Sequence, residues 1–314
     1  MLYPLVCLLC LTGCGGGGGE NGLLLDLDKR NPERLLRFYL GSYLGPDGGD
    51  AFEAGLLSGD GDFRLHPERL DARWRAALDS ANADGDAAID WDEFIDFVDR
   101  TYAAARGLPP TLGAFRTSAP YAGGDPAWFT VEIDGVMTNA RRHIFVPMAS
   151  LRAALEGYRQ NDDRLIYPVG TTLVGEHRVD GALAETTVKL RRADGFWDFF
   201  VYGADGRLAA ATATEPRPLQ SPTQCTGCHF GQKQFEPERS FPAAAPDGPF
   251  GPRGIRVGEA MRNASVVPFF NEHAKRSDSV LGIYGTLFVS GLLADRTAGR
   301  LAPEDAALLE TLGL

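Results

Sequence analysis

Apolar residues in this chain recur first at helical spacing and then, further along, at strand spacing. Asn31-Pro32 opens a helix expected to reach residue 43, with Asn31 as N-cap and proline at the first helical position. Gly45-Pro46-Asp47-Gly48-Gly49 stops it, residues 52–57 read as a short helical turn, and residues 58–66 as a Gly/Asp loop. Pro67 starts a second helix in which Leu70, Trp74 and Leu78 share a face. A third, over 91–103, puts Trp91, Phe94, Ile95, Val98 and Tyr102 together. Beyond a Gly/Pro-rich stretch the period shortens to two. Residues 128–134 alternate as a strand, and 148–160 return to a helix with Leu151, Leu155 and Tyr158 on one side. Residues 171–179, 184–192 and 196–202 then read as three strands joined by Asp180-Gly181 and Asp194-Gly195 turns. Asp205-Gly206 supplies one more turn. The tail from residue 277 is helical, and Leu301-Ala302-Pro303-Glu304-Asp305 opens its last helix.

Charge and the N-terminus narrow the class. A net charge of −11 and a pI near 5.0, with no cluster of Lys or Arg, exclude a nucleic-acid partner. Residues 2–11 form an apolar run too short to span a bilayer, followed by Leu11-Thr12-Gly13-Cys14, which resembles a bacterial lipobox. No Lys or Arg precedes the run. The expected product is an exported bacterial lipoprotein, anchored to the membrane through lipid on Cys14 and facing the periplasm or cell exterior, with Gly15 to Gly19 beginning a flexible tether.

The loop between the second and third helices has ligand spacing for calcium. Calcium takes about seven oxygens, supplied in an EF-hand by loop positions 1, 3, 5, 7, 9 and 12. Here these are Asn82, Asp84, Asp86, the Ala88 carbonyl, Asp90 and Glu93, with Ile89 at the apolar position 8. Two departures weaken the site: Asn replaces Asp at position 1, and Ala87 stands where glycine makes the sharp turn. A solvated acidic turn is the plain alternative. Ser58, Asp60, Asp62 and Leu65 trace a second, degenerate loop whose position 12 is Arg69.

The most specific motif is Cys225-Thr226-Gly227-Cys228-His229. Two thiols two residues apart can add to the two vinyl groups of one haem, and the adjacent histidine can reach the iron as proximal ligand. A redox dithiol, half of a zinc site and a disulfide are the alternatives. Zinc would need a second ligand pair that the chain does not supply. The cysteine usage is consistent with haem c: Cys7 and Cys10 leave with the signal, Cys14 takes lipid, and Cys225 and Cys228 take the haem, which accounts for all five.

Tyr167-Pro168-Val169-Gly170-Thr171-Thr172-Leu173-Val174, the Gly195-Phe196-Trp197-Asp198-Phe199 strand and the following CxxCH together resemble the hydroxylamine-oxidising cytochromes with a lysine-cross-linked haem, and their gas-binding c-prime-beta relatives. The resemblance covers about residues 129–235. It implies a β-rich, often dimeric haem domain with a five-coordinate iron. The family's cross-linking lysine would fall at or near Gly175, and the only lysine in the strands is Lys189, which argues against hydroxylamine oxidation. Phe196, Trp197, Phe199 and Phe200 offer rings for an apolar distal side suited to NO or CO, with at least two of them expected to be core alone. His177 is the best candidate for a distal acid–base group or sixth ligand, ahead of His143, His273, Met148 and Met261, although a lone histidine is more often structural.

The expected architecture is α+β: a signal over 1–14, a Gly-rich tether over 15–30, a helical EF-hand region over 31–106, a linker over 107–126 and an antiparallel mono-haem c domain with flanking helices over 127–314. The expected function is a calcium-binding c-type cytochrome with one covalent haem that binds a small gaseous ligand or does redox chemistry, possible as a homodimer. The alternatives are a six-coordinate electron carrier working with a redox partner, an enzyme with an open haem site, and a non-haem EF-hand lipoprotein.

Overall fold

The computed structural model describes residues 22–27, 32–135, 138–214, 218–226, 255–256 and 279–314. The fold is mixed α+β. Among the described residues no helix is long and apolar enough to cross a membrane.

Helix α1 (Pro32–Gly41) buries Leu35, Leu36, Phe38, Tyr39 and Leu40 completely, so it is a core helix rather than a surface one. After it come the short strands β2 (Leu57–Ser58) and β3 (Arg64–Leu65), a 3-10 turn at Pro67–Arg69, and α2 (Ala72–Ala81), capped by the Asp71 carboxylate. Strand β4 (Ala88–Asp90) leads directly into α3 (Trp91–Ala105). The two Gly/Asp loops do not pair with each other. Strand β1 (Leu23–Asp26) lies between them, antiparallel to β3 and parallel to β4. Part of the stretch expected as a tether is therefore a central strand. Leu25 pairs with the fully buried Ile89, and burial of Leu25 and Leu27 explains why this leucine-rich segment orders.

The second half is a seven-stranded antiparallel sheet. Its strands are β5 (Trp128–Gly135), β6 (Arg141–Pro147), β7 (Thr172–Val179), β8 (Ala182–Arg191), β9 (Trp197–Gly203), β10 (Leu208–Ala209) and β11 (Ile255–Arg256), in the order β10-β9-β8-β7-β6-β5-β11. The three strands read from alternation are β7 to β9. Strand β6 was not expected, because Arg141-Arg142-His143 masks the buried Ile144, Phe145 and Val146 that follow. On one face Phe145, Val174, Val188, Phe200 and Tyr202 pack against Phe115 and Tyr121. Phe115 belongs to α4 (Leu112–Ser118), which Thr111 caps, so residues 107–126 lie across the sheet and carry a helix where a linker was expected. On the other face Val131, Ile133, Ile144, Val146, Leu173 and Phe199 join α5 (Met148–Glu156), α6 (Ser279–Thr297) and α7 (Pro303–Leu312). That core runs without a break into α1, α2 and α3.

A buried ion cluster fastens the helices to the sheet. The Asp198 carboxylate on β9 accepts from the Tyr102 hydroxyl at 2.7 Å and from Arg106 Nε and Nη2 at 2.9 Å each. Arg106 also donates to the Gly45 and Pro46 carbonyls, while Arg192 holds Ser42 Oγ at 2.7 Å and pairs with Asp194. Asp198 and both arginines are nearly inaccessible to solvent, where a charge survives only if its partners are all in place.

Candidate functional site

The acidic loop over 82–93 joins α2 to the capped start of α3. Asp90 and Glu93 form a capping box at the start of α3: the Asp90 carboxylate accepts from the Glu93 N–H, and Glu93 Oε2 accepts from the Asp90 N–H at 3.2 Å. The other Glu93 oxygen accepts from the Ala83 N–H at 2.9 Å. Asn82 Oδ1 accepts from the Gly85 N–H, Asp84 from the Asp86 N–H and Asp86 from the Ala88 N–H. The left-handed residue of the turn is Gly85 at position 4, with φ +70°, and Ala87 carries no positive φ, so its missing glycine causes no strain.

The donor chemistry of this loop suits a hard cation, and its internal bonds define what a cation would have to replace. Asn82 Nδ2 donates to the Asp86 and Ala88 carbonyls at 3.1 Å each, so a polarised N–H lies on the position 7 carbonyl that calcium would use. Both Glu93 oxygens are likewise committed to backbone N–H groups. Among the described residues no group of three or more His, Cys, Asp or Glu side chains is disposed to hold a metal ion. Calcium binding would therefore draw Asp84, Asp86 and Glu93 inward at the expense of these bonds. In the second loop Ser58 Oγ lies 2.8 Å from His66 Nε2, a contact within the protein.

The first half of the CxxCH motif sits where the helices meet the sheet. Thr226 is fully buried, and its hydroxyl donates to the Thr223 carbonyl at 2.8 Å and lies 3.0 Å from the Tyr39 hydroxyl of α1. Thr223 Oγ1 donates to Asp99 of α3 at 3.1 Å, and Ser221 Oγ to the Phe199 carbonyl of β9 at 2.9 Å. Three elements thus hold residues 221–226 in place. Burial pushes the Asp99 carboxyl up to about 6, against the opposing effect of its bond to Thr223. Cys225 is half-buried against the edge of the main core, with Sγ 3.9 Å from the Gln220 carbonyl oxygen. A thiol on an apolar border fits thioether formation with a haem vinyl group. Cys228, His229 and Cys14 lie outside the described residues, as do Met261 and His273.

The aromatic candidates divide between the two faces. Phe200 belongs to the smaller core with Phe115, whereas Phe196 and Phe199 lie on the side of α1, their rings 5.6 Å and 6.2 Å from that of Phe38. His177 shares the Phe199 face of the sheet, yet strand register separates them. Phe199 is opposite Lys189 and Leu173, and His177 lies four positions further along β7, about 13 Å away along the strand. Its Nδ1 is 2.8 Å from Glu185 Oε1 and its Nε2 is 3.3 Å from Thr187 Oγ1. Burial lowers the imidazole's proton affinity, Glu185 opposes this, and Arg142 and Lys189 add to it. Glu185 also accepts from the Ala213 N–H and the Thr214 hydroxyl. Burial works to raise its carboxyl, but these bonds and His177 outweigh that and hold it low. To ligate iron through Nε2 the ring would have to leave its contact with Thr187.

Tyr39, Asp99, Thr223 and Glu185 carry this site without any signal in the sequence pattern beyond charged or hydroxyl residues at inward positions. Comparisons with protein-family models, with curated proteins and with solved structures find no match to this chain.

Proposed function

We propose that this chain is an exported, lipid-anchored c-type cytochrome. One haem is attached through Cys225 and Cys228 with His229 as proximal ligand, and one calcium ion is taken by Asn82, Asp84, Asp86, Ala88, Asp90 and Glu93. The observation that carries the reading is the CxxCH spacing, with its first cysteine on an apolar border and its second residue buried against α1. A bound haem supplies an iron able to take a diatomic ligand or an electron. This chain's residues would seat the macrocycle: Thr226 and Thr223 fix the attachment segment, and the partly exposed Phe196 offers apolar surface beside α1, while Phe199 is core. With His177 about 13 Å along the strand from the Phe199 position, an open iron that binds a small neutral gas such as NO or CO is favoured over a six-coordinate electron carrier. The resemblance to the c-prime-beta cytochromes points the same way.

The test is the ferric and ferrous optical spectrum of protein made with a haem-attachment system, before and after CO. A high-spin spectrum shifted by CO is expected. A low-spin ferrous spectrum indifferent to CO means a six-coordinate carrier, and a colourless protein means a calcium-binding EF-hand lipoprotein without haem.

A further inference from the structure

We propose that Asp99 is a proton-operated latch for residues 221–226: its neutral carboxyl keeps the segment closed on α3, and its ionisation favours release. The inference rests on α1, α3 and that segment, and it needs neither cofactor.

The latch is a carboxyl with too few partners for its charged form. An ionised carboxylate has room for about four hydrogen bonds. Among the described residues the one donor to Asp99 is the Thr223 hydroxyl, at 3.1 Å, and no Lys, Arg or His pairs with it. Arg100, the next residue on α3, turns instead to Asp96 at 2.8 Å. Asp96 is itself a carboxylate, and its charge opposes ionisation of Asp99. From α1 two tyrosine hydroxyls feel the Asp99 charge, and both are engaged with other groups. That of Tyr43 lies 2.7 Å from Thr101 Oγ1, and that of Tyr39 lies 3.0 Å from Thr226 Oγ1. On the segment the titratable group is the Cys225 thiol, which acts on Tyr39. Burial therefore raises the carboxyl to about 6 against the bond to Thr223, and Asp96 adds to the rise.

When the segment lifts, water completes the shell of the carboxylate and the group returns to its ordinary 3.8. Each pH unit between those two values favours the open form by up to about tenfold. Above about 6 the effect levels, because the carboxyl is then ionised in both forms. What opens is limited to the segment. Its other fastenings are uncharged: Ser221 Oγ on the Phe199 carbonyl, and Thr226 beside Tyr39. The far end of α3 is clamped to the sheet through Tyr102, Arg106 and Asp198, so the helix stays and the segment yields. Release uncovers the buried Thr226 and the half-buried Cys225.

The test is amide hydrogen exchange of the full chain from pH 4 to pH 8, with rates corrected for their intrinsic pH dependence. Protection over residues 221–226 is expected to fall about tenfold or more between pH 4 and pH 7, levelling above about 6, while that of β7 and β8 does not fall. Asp99→Asn, which cannot ionise and can still accept from Thr223, is expected to keep the segment's protection flat across the range. Should that variant fail to fold, Thr223→Val is expected to carry the levelling point to higher pH, because the bond that favours the ionised carboxyl is gone. Protection over 221–226 that is indifferent to pH in the parent overturns the proposal. So does a fall that Asp99→Asn retains, one that β7 and β8 share equally, or a levelling point that Thr223→Val leaves in place or lowers.

Discussion

The two ends of α3 hold their carboxylates in opposite ways. At the start, Asp90 and Glu93 bind backbone N–H groups, in a loop open to water. At the end, Asp198 grips Arg106 and Tyr102 with almost no access to solvent. An exposed carboxylate can exchange partners at little cost, because water satisfies it meanwhile. A buried one cannot, because each lost partner leaves a charge in a medium that solvates it poorly. The difference teaches which end is the pivot: the clamp fixes the helix to the sheet, the loop's carboxylates can exchange partners through water, and the segment around Thr223 touches the helix between them.

Substitutions can break either end. Asp198→Asn strands Arg106 and Arg192 in the core and should cost about 3–5 kcal/mol, measured as a lower urea midpoint. Ile89→Ala empties a fully buried position at the loop strand and should cost about 2–4 kcal/mol while leaving every carboxylate of the loop in place. If the loop end costs more than the clamp end in the same titration, the pivot is assigned to the wrong end. Thr226→Val removes the buried hydroxyl that lies 3.0 Å from that of Tyr39 and should cost about 1–3 kcal/mol. That loss should appear as faster amide exchange over residues 221–226 rather than in the sheet.

The smallest effects are in pH, and they carry opposite signs. The Asp99 carboxyl titrates near 6 in the folded chain against an ordinary 3.8, so the folded state holds the extra proton between those values. Stability from this group rises as pH falls from about 6 towards 4, and Asp99→Asn should flatten that window. His177 is held below its ordinary 6.5, so its contribution is present above that value and lost as pH falls through it. Thermal midpoints across pH 4–8 for Asp99→Asn and His177→Gln should therefore depart from the parent in opposite directions.

What the sequence displayed was whatever is encoded locally. Asp180-Gly181 and Asp194-Gly195 turn β7 into β8 and β8 into β9, and a turn needs only its own residues. The turn between α2 and α3 was legible because its Asn, Asp and Gly residues lie within one short stretch. Strand β1 was hidden because its partners are the two loop strands, and a leucine run after five glycines reads as tether until those partners are known. Helix α4 was hidden by the prolines and glycines around it, although Phe115 and Tyr121 are what the sheet needs to cover one face. The seat of Cys225 was the least legible part. Thr226 meets Tyr39 across 187 positions and Thr223 meets Asp99 across 124, and no periodicity links a threonine to a partner so distant.

The central claim is a covalent haem on the segment that α1 and α3 hold. It is tested most directly by denaturing the purified protein, made with a haem-attachment system, and extracting it with acidified organic solvent. The account predicts that the haem absorbance stays with the polypeptide and is lost in Cys225→Ala/Cys228→Ala. Haem that leaves with the solvent, or a protein that never takes it up, would contradict it.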